Sequence, residues 1–296
     1  MPSPTKHPRI RKAIFPVAGL GTRVLPATKS IPKEMLTLVD KPVLQVVMEE
    51  AREAGIEHFI FVTGRNKQVI EDHFDMAYEL EDSLQKRGKL DLLKQLQDER
   101  PLAGTTSFTR QQEPLGLGHA VWCARDIIGN EPFAVLLPDM ITIGKTGCLK
   151  QCVEVYRATG GNVVAVEECD PALTHQYGIV GVGKAISKQG FKVTSMVEKP
   201  PQGTAQSNFY ITGRYILQPE IFSILEKGER GAGGEIQLTD AMVKLMKRQA
   251  LHGLNYTGIT YDCGSKIGYL QATLAYALSR PDLAEDARRT IKAMLG

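Results

Sequence analysis

A chain of 296 residues, 43% hydrophobic and 23% charged, has the balance of an ordinary soluble globular protein and enough apolar mass for a large core. Its 36 basic residues nearly cancel 33 acidic ones, for a net charge of +3, so nothing demands a basic face or argues for nucleic acid as a partner. No apolar run reaches the roughly eighteen residues that a membrane helix needs, and five scattered cysteines without a CxxC pair read as free thiols in a reducing cytoplasm.

The start, MPSPTKHPRIRK, is polar and proline-bearing, with no apolar stretch behind its basic residues. It reads as a loose arm over 1–10 rather than a signal peptide. KAIFPVA, 12–18, is a buried strand, although Pro16 suits only a strand that ends early or lacks a hydrogen-bonding neighbour there. Asp40-Lys41-Pro42 predicts a helix start with Asp40 as N-cap, and Gly55 stops that helix. HFIFVTG, 58–64, is a second buried strand, followed by a short helix over 66–74. The charged stretch 76–99 carries leucines at helical spacing and reads as a helical insertion. TSFTRQ alternates as a strand over 106–111, and 118–128 is helical. PFAVLLPD, 132–139, is a buried strand ending on a carboxylate. NVVAVEE, YGIVGVG, KVTSMVEKP and NFYITGRYIL supply further strands, some of them antiparallel. Helices are expected over 219–227, 237–248, 265–279 and 283–294, those after Ser265 either packing on the body or forming a subunit interface. Strands alternating with helices predict one α/β domain: a Rossmann-like, three-layer α/β/α fold around a mixed, mostly parallel sheet.

GLGTRVLPATKSIPKEM, 19–35, opens like a dinucleotide-binding loop, with Gly19 and Gly21 in place and Val24 where the third glycine belongs. That loop would need a helix starting near Gly21, and Pro26 and Pro32 would lie inside it at about 3 kcal/mol each. The Walker reading fails too, because Asp139 stands where the first glycine before Gly144-Lys145-Thr146 should be. What remains is an extended glycine-started loop carrying Arg23 and Lys33. Its backbone amides and two cations suit a polyphosphate, although a solvated surface turn would read the same.

The run VAGLGTRVLPATKSIPKEML resembles the signature of sugar-1-phosphate nucleotidyltransferases. The resemblance continues in order through RQQEPLGLGHAV, LLPDM, YGIVGVG, VEKP, GRYIL, GEIQLTDA and YDCGSKIGYLQA, spanning 12 to about 275. It is nearest the bacterial members that use UTP and glucose 1-phosphate. The resemblance implies that a sugar phosphate attacks the α-phosphorus of UTP and pyrophosphate leaves, or that another nucleotide such as TTP takes the place of UTP. A non-catalytic, nucleotide-sugar-sensing relative is the other class. The resemblance makes Asp139 and Asp262 ligands of Mg²⁺. Lys33 then meets the α-phosphate, Arg23 the leaving pyrophosphate, and Lys199 the sugar phosphate. Glu198 accepts from sugar hydroxyls, with Gly178 and Gly213 offering backbone contacts. Gln111, with Gln112 as its competitor, reads the base beside Ala18, Gly19, Gly21 and Gly116. Glu235 and Asp240 either line the sugar site or cap a helix, and His119 makes a structural hydrogen bond. A homo-oligomer, dimer or tetramer, is expected, with no nucleic acid or membrane partner.

Overall fold

The computed structural model describes residues 7–296. The chain begins with β1 (Lys12–Pro16), the small ribbon β2 (Thr37–Leu38) and β3 (Lys41–Pro42), α1 (Val43–Glu53), β4 (His58–Thr63) and α2 (Gln68–Phe74). The charged pair α3 (Tyr78–Lys86) and α4 (Leu90–Glu99) precedes β5 (Thr106–Arg110), α5 (Leu117–Trp122), α6 (Arg125–Ile128), β6 (Phe133–Leu136), β7 (Met140–Ile143) and α7 (Cys148–Thr159). Next come β8 (Asn162–Glu168), β9 (Gly178–Ala185), β10 (Gly190–Glu198), β11 (Phe209–Leu217), α8 (Ile221–Leu225) and α9 (Leu238–Leu245). The last elements are β12 (Leu251–Asn255), β13 (Ile259–Asp262), α10 (Lys266–Ser279) and α11 (Ala284–Leu295).

One sheet has the order β5-β4-β1-β6-β11-β8-β12-β10-β9. From the pairings, β11 and β10 run against the other seven, so the sheet is mixed and mostly one-directional. The inner strands are apolar throughout because both faces are covered. Ala13 and Phe15 of β1 face a core shared with α1, α2, α7 and α10, while Ile14 faces one shared with α5, α6, α8 and α9. On the first face Phe61 stacks on Phe15, Phe74 and Phe108, with ring centroids 5.2, 5.0 and 5.1 Å away. No helix among the described residues is long and apolar enough to cross a membrane.

Pro16 is tolerated as its chemistry requires. β1 pairs with β4 through Pro16↔Val62, but its pairing with β6 stops at Ile14↔Val135, so no ladder bond needs the missing N–H. Several expectations need correction. Asp40 does not cap α1: the helix starts after Pro42 without a side-chain cap, and Asp40 accepts from the Arg280 guanidinium instead. A distant cation outcompetes the local backbone there. Asp139 does not end a strand, because β6 stops at Leu136 and Asp139 lies in the turn before β7. The helix expected over 118–128 is two, α5 and α6. Residues 1–6 of the expected loose arm lie outside the described residues. Within 7–10 the chain is not loose, for Ile10 is buried in the core and His7 packs on Tyr156 at 5.8 Å between ring centroids.

Candidate active site

β1 leads to β4 on one side, and β6 later enters on the other, which makes the carboxyl ends of β1 and β6 the point where strand order reverses. Open α/β sheets bind ligands there. The segment after β1 is no α-helix. It forms three short 3₁₀ turns, Thr22–Val24, Ala27–Lys29 and Lys33–Met35, and Pro26 and Pro32 immediately precede the second and third. The turns fold back on themselves: Thr28 Oγ1 donates to Gly21 O at 2.7 Å. Gly21 has φ 69°, and a Cβ on it would lie 3.1–3.2 Å from the Thr28 and Lys33 side chains, so the loop needs glycine here.

Beside this loop lies a cavity of about 350 Å³ lined by Ala18, Gly19, Gly21, Gln111 and Gly116, with Glu235 on its wall. All five residues expected to hold the nucleotide therefore face one space. Gln112 lines a separate cavity near Trp122. The 234–241 motif forms part of the wall through backbone bonds, Gly118 N to Ile236 O at 2.8 Å and Ile236 N to Leu115 O at 2.7 Å. Gly116 (φ 107°) has to be glycine, since a Cβ would fall 2.7 Å from Glu235 Cβ. Asp240 instead packs against Gly231.

The two aspartates come together through strands that sequence reading did not place. β13 pairs with β7 as far as Asp262↔Met140, and Cys263 N donates to Asp139 O at 2.8 Å. The position a Cβ on Gly264 would take is 2.8 Å from Asp262 Oδ1 and 3.2 Å from Asp139 Oδ2, so these oxygens are no more than about 6 Å apart. Lys33 Nζ donates to Asp139 Oδ2 at 2.5 Å, and Arg23 Nη1 is 3.9 Å from Asp262 Oδ2. Burial pushes the Asp139 carboxyl up, but the charge and hydrogen bond of Lys33 outweigh it and hold the group below the usual carboxylate range. Burial and the negative charge of Asp139 raise Asp262. The pair thus presents two carboxylates, Asp139 countered closely by Lys33 and Asp262 more loosely by the exposed Arg23.

A buried brace supports the loop from behind. Lys67 Nζ donates to Gly19 O at 2.7 Å and to Glu34 Oε2 at 2.8 Å. Sequence reading missed both residues. A lone lysine ahead of a short helix carries no signal when its partner lies in another loop.

The remaining residues line the adjoining strands. Gly178 opens β9 opposite Glu198 at the end of β10, and Thr239 Oγ1 of α9 donates to Glu198 Oε2 at 2.8 Å. A Cβ on Gly178 would crowd that carboxylate at 3.0 Å. Strand alternation would send Glu198 and Lys199 to opposite faces. It ends between them, because Lys199 is left-handed at φ 46° and its N–H turns to Tyr177 O at 3.0 Å. Among the described residues the Lys199 side chain makes no ion pair and no hydrogen bond. Gly213 (φ 84°) makes room for the Leu137 side chain, 3.0 Å from where a Cβ would be. Tyr215 links the two regions: burial, then the charges of Glu198 and Asp139, raise its phenol despite the opposing Arg214.

A family model described as nucleotidyl transferase matches residues 12–278. The chain is 48% identical over 288 residues to a UTP–glucose-1-phosphate uridylyltransferase of Staphylococcus epidermidis, covering 97% of this chain and 99% of that protein. It resembles the solved UTP-bound UGPase from Acinetobacter baumannii with a TM-score of 0.88 at 43% identity, over 96% of this chain and 99% of that one. A UDP-glucose pyrophosphorylase complexed with UDP-glucose gives a TM-score of 0.82 at 41% identity, over 92% of this chain and 100% of that one.

Proposed function

The chain belongs to the nucleotidyl transferase family, and from that premise we propose how its residues perform the transfer. It moves a uridylyl group from UTP to α-D-glucose 1-phosphate, giving UDP-glucose and pyrophosphate. An ionised oxygen of the sugar phosphate attacks the α-phosphorus and forms the new P–O bond as the bond to the leaving pyrophosphate breaks. The nucleophile is already deprotonated, so no general base is required, and the protein's work is alignment and charge neutralisation.

The observation that carries this reading is the convergence of Asp139, Asp262, Lys33 and Arg23, with the Lys33 side chain against Gly19 and Gly21, which together with Gln111 line the cavity. The triphosphate lies along the 19–23 backbone, with the base toward Gln111. Lys33 exchanges Asp139 for the α-phosphate, where negative charge must be offset, and Arg23 takes the pyrophosphate. Lys199 holds the sugar phosphate, and Glu198, oriented by Thr239, accepts from sugar hydroxyls beside Gly178 and Gly213.

Mg²⁺ is the cofactor of this reading. Among the described residues no cluster of three or more His, Cys, Asp or Glu could hold a metal. Two aspartates fit an ion that takes one or two carboxylates and completes six ligands with phosphate oxygens and water. Asp139 and Asp262 would hold it, and when bound it supplies charge stabilisation at the phosphates.

The reading is tested by pyrophosphate release across the four ribonucleoside triphosphates, TTP and several sugar 1-phosphates, with and without Mg²⁺. Fastest turnover with UTP and glucose 1-phosphate, lost without the metal, is expected; preference for TTP would replace uridylyl by thymidylyl transfer. Sedimentation velocity checks the expected homo-oligomer, which a monomer would refute. Lys199→Ala should raise KM for glucose 1-phosphate about 10- to 100-fold, the scale of one lost charged hydrogen bond, and KM for UTP by no more than about threefold. Equal effects on both substrates would contradict the assignment.

A further inference from the structure

The base-facing end of the cavity contains a side chain whose hydrogen-bonding capacity is mostly spent before any ligand arrives. Gln111 follows β5, is buried, and is pinned by its own N–H to Thr63 O at 2.8 Å. Its Nε2 is 3.0 Å from Gly116 O and 3.1 Å from His119 Nδ1. A backbone carbonyl only accepts, so the nitrogen and not the oxygen of the amide must face Gly116. The second Nε2 hydrogen then points at His119, whose Nδ1 accepts it when the imidazole is neutral and carries its proton on Nε2. Burial pushes the His119 pKa down, which favours the neutral imidazole. His119 is itself fixed on α5, its ring stacked on Trp122 with centroids 5.8 Å apart.

Both donors of the Gln111 amide are thus used inside the protein. Oε1 accepts no bond among the described residues and is not sealed from solvent. Free glutamine is ambiguous toward a pyrimidine, because it can offer either a donor or an acceptor. Here it offers only an acceptor. Uracil carries a hydrogen on N3 that Oε1 can accept. Cytosine has a lone pair at N3, so the same approach sets acceptor against acceptor and leaves two polar groups unpaired. Thymine also carries the N3 hydrogen and is not excluded by this device.

We propose that His119 is a positioning residue for nucleotide choice: by occupying the second amide hydrogen of Gln111 it locks the carbonyl oxygen toward the base and so sets the preference for uracil over cytosine. The proposal rests on the reading of Gln111 as the residue that meets the base. Gly116 O alone could not do this, since one acceptor leaves an N–H free to serve cytosine N3.

Two variants separate the acceptor from the ring. His119→Phe keeps an aromatic ring against Trp122 and removes the acceptor. His119→Asn removes the ring and places Oδ1 where Nδ1 was. The readout is the ratio of kcat/KM for UTP to that for CTP, each with glucose 1-phosphate. It is internal to one enzyme sample, so a partly unfolded fraction cancels. His119→Phe is expected to lower the ratio about tenfold, and His119→Asn to keep it within about twofold of the unaltered chain. If His119→Phe keeps the ratio, or His119→Asn loses it as fully as His119→Phe does, the positioning role is overturned. Gln111→Leu distinguishes the two levels. A ratio that collapses in Gln111→Leu but survives in His119→Phe overturns only the role of His119. A ratio that survives in Gln111→Leu overturns the assignment of Gln111 and the proposal with it.

Discussion

Asp139→Asn should reduce turnover by at least about a thousandfold while the protein still folds. Loss of one metal carboxylate removes several kcal/mol of transition-state charge stabilisation, and about 4 kcal/mol is a factor of a thousand in rate. Asparagine has the same shape and keeps an oxygen within reach of Lys33, so packing is preserved. What it removes is charge. Lys33 Nζ, 2.5 Å from Asp139 Oδ2, loses its counterion in a site where both side chains are only about a fifth exposed. Breaking a fully buried pair costs about 3–5 kcal/mol; with water still reaching both groups, a cost of about 1–3 kcal/mol is expected here. That is survivable against a total of about 5–15 kcal/mol. Pyrophosphate release read beside a thermal melt checks both halves. A near-unaltered Mg²⁺-dependent rate would take Asp139 out of the metal site. An unfolded variant would show that the carboxylate serves stability first.

How much of this site can be read from sequence depends on how local its causes are. Two prolines forbid a helix after the glycine loop, and that loop folds as three 3₁₀ turns broken at Pro26 and Pro32. Gly19 and Gly21 belong to that same loop, whose chemistry is written within a few positions; Ala18, Gln111 and Gly116 are expected only from the family resemblance, and the fold brings all five around one cavity. The meeting of Asp139 with Asp262 is not legible, because it depends on the register of β7 with β13, two four-residue strands too short to show a pattern. The sequence pattern does not mark α7 either. Its buried residues Cys148, Leu149, Gln151, Cys152, Val153 and Tyr156 do recur at helical spacing, but the cysteines and the glutamine dilute the signal. Lys67 and Arg214 carried no signal at all. A lone cation reads as solvated, and only the fold reveals that its carboxylate partner is buried with it.

Arg214 shows what such a hidden pair supports, and its removal should be the most damaging single change away from the substrate cavity. It is fully buried in β11 and grips Glu50 of α1 with Nη2 at 2.7 Å and Nε at 3.1 Å. The same guanidinium donates to Leu137 O at 3.1 Å and Met140 O at 2.7 Å, the carbonyls on either side of the turn that carries Asp139. Glu50 in turn accepts from Leu149 N at 2.9 Å and Thr142 Oγ1 at 3.0 Å. Every group in this knot is satisfied, which is the condition under which a buried ion pair is tolerable. Arg214→Met leaves the charge of Glu50, a side chain only 10% exposed, without its cation, at a cost of about 3–5 kcal/mol. At about 2–4 °C per kcal/mol the melting temperature should fall by roughly 6–20 °C. Arg214→Lys keeps the charge but cannot reach Glu50 and two carbonyls at once, so it should fall between the two. Glu50→Met with Arg214→Met removes the orphaned charge and should recover part of the loss. Recovery stays incomplete because Leu149 N and Met140 O lose the partners they have here. Thermal melts of the four proteins decide the matter: a melting temperature for Arg214→Met within about 2 °C of the unaltered chain would mean that Glu50 protonates or finds water at little cost, and that the turn bearing Asp139 is held by its backbone alone.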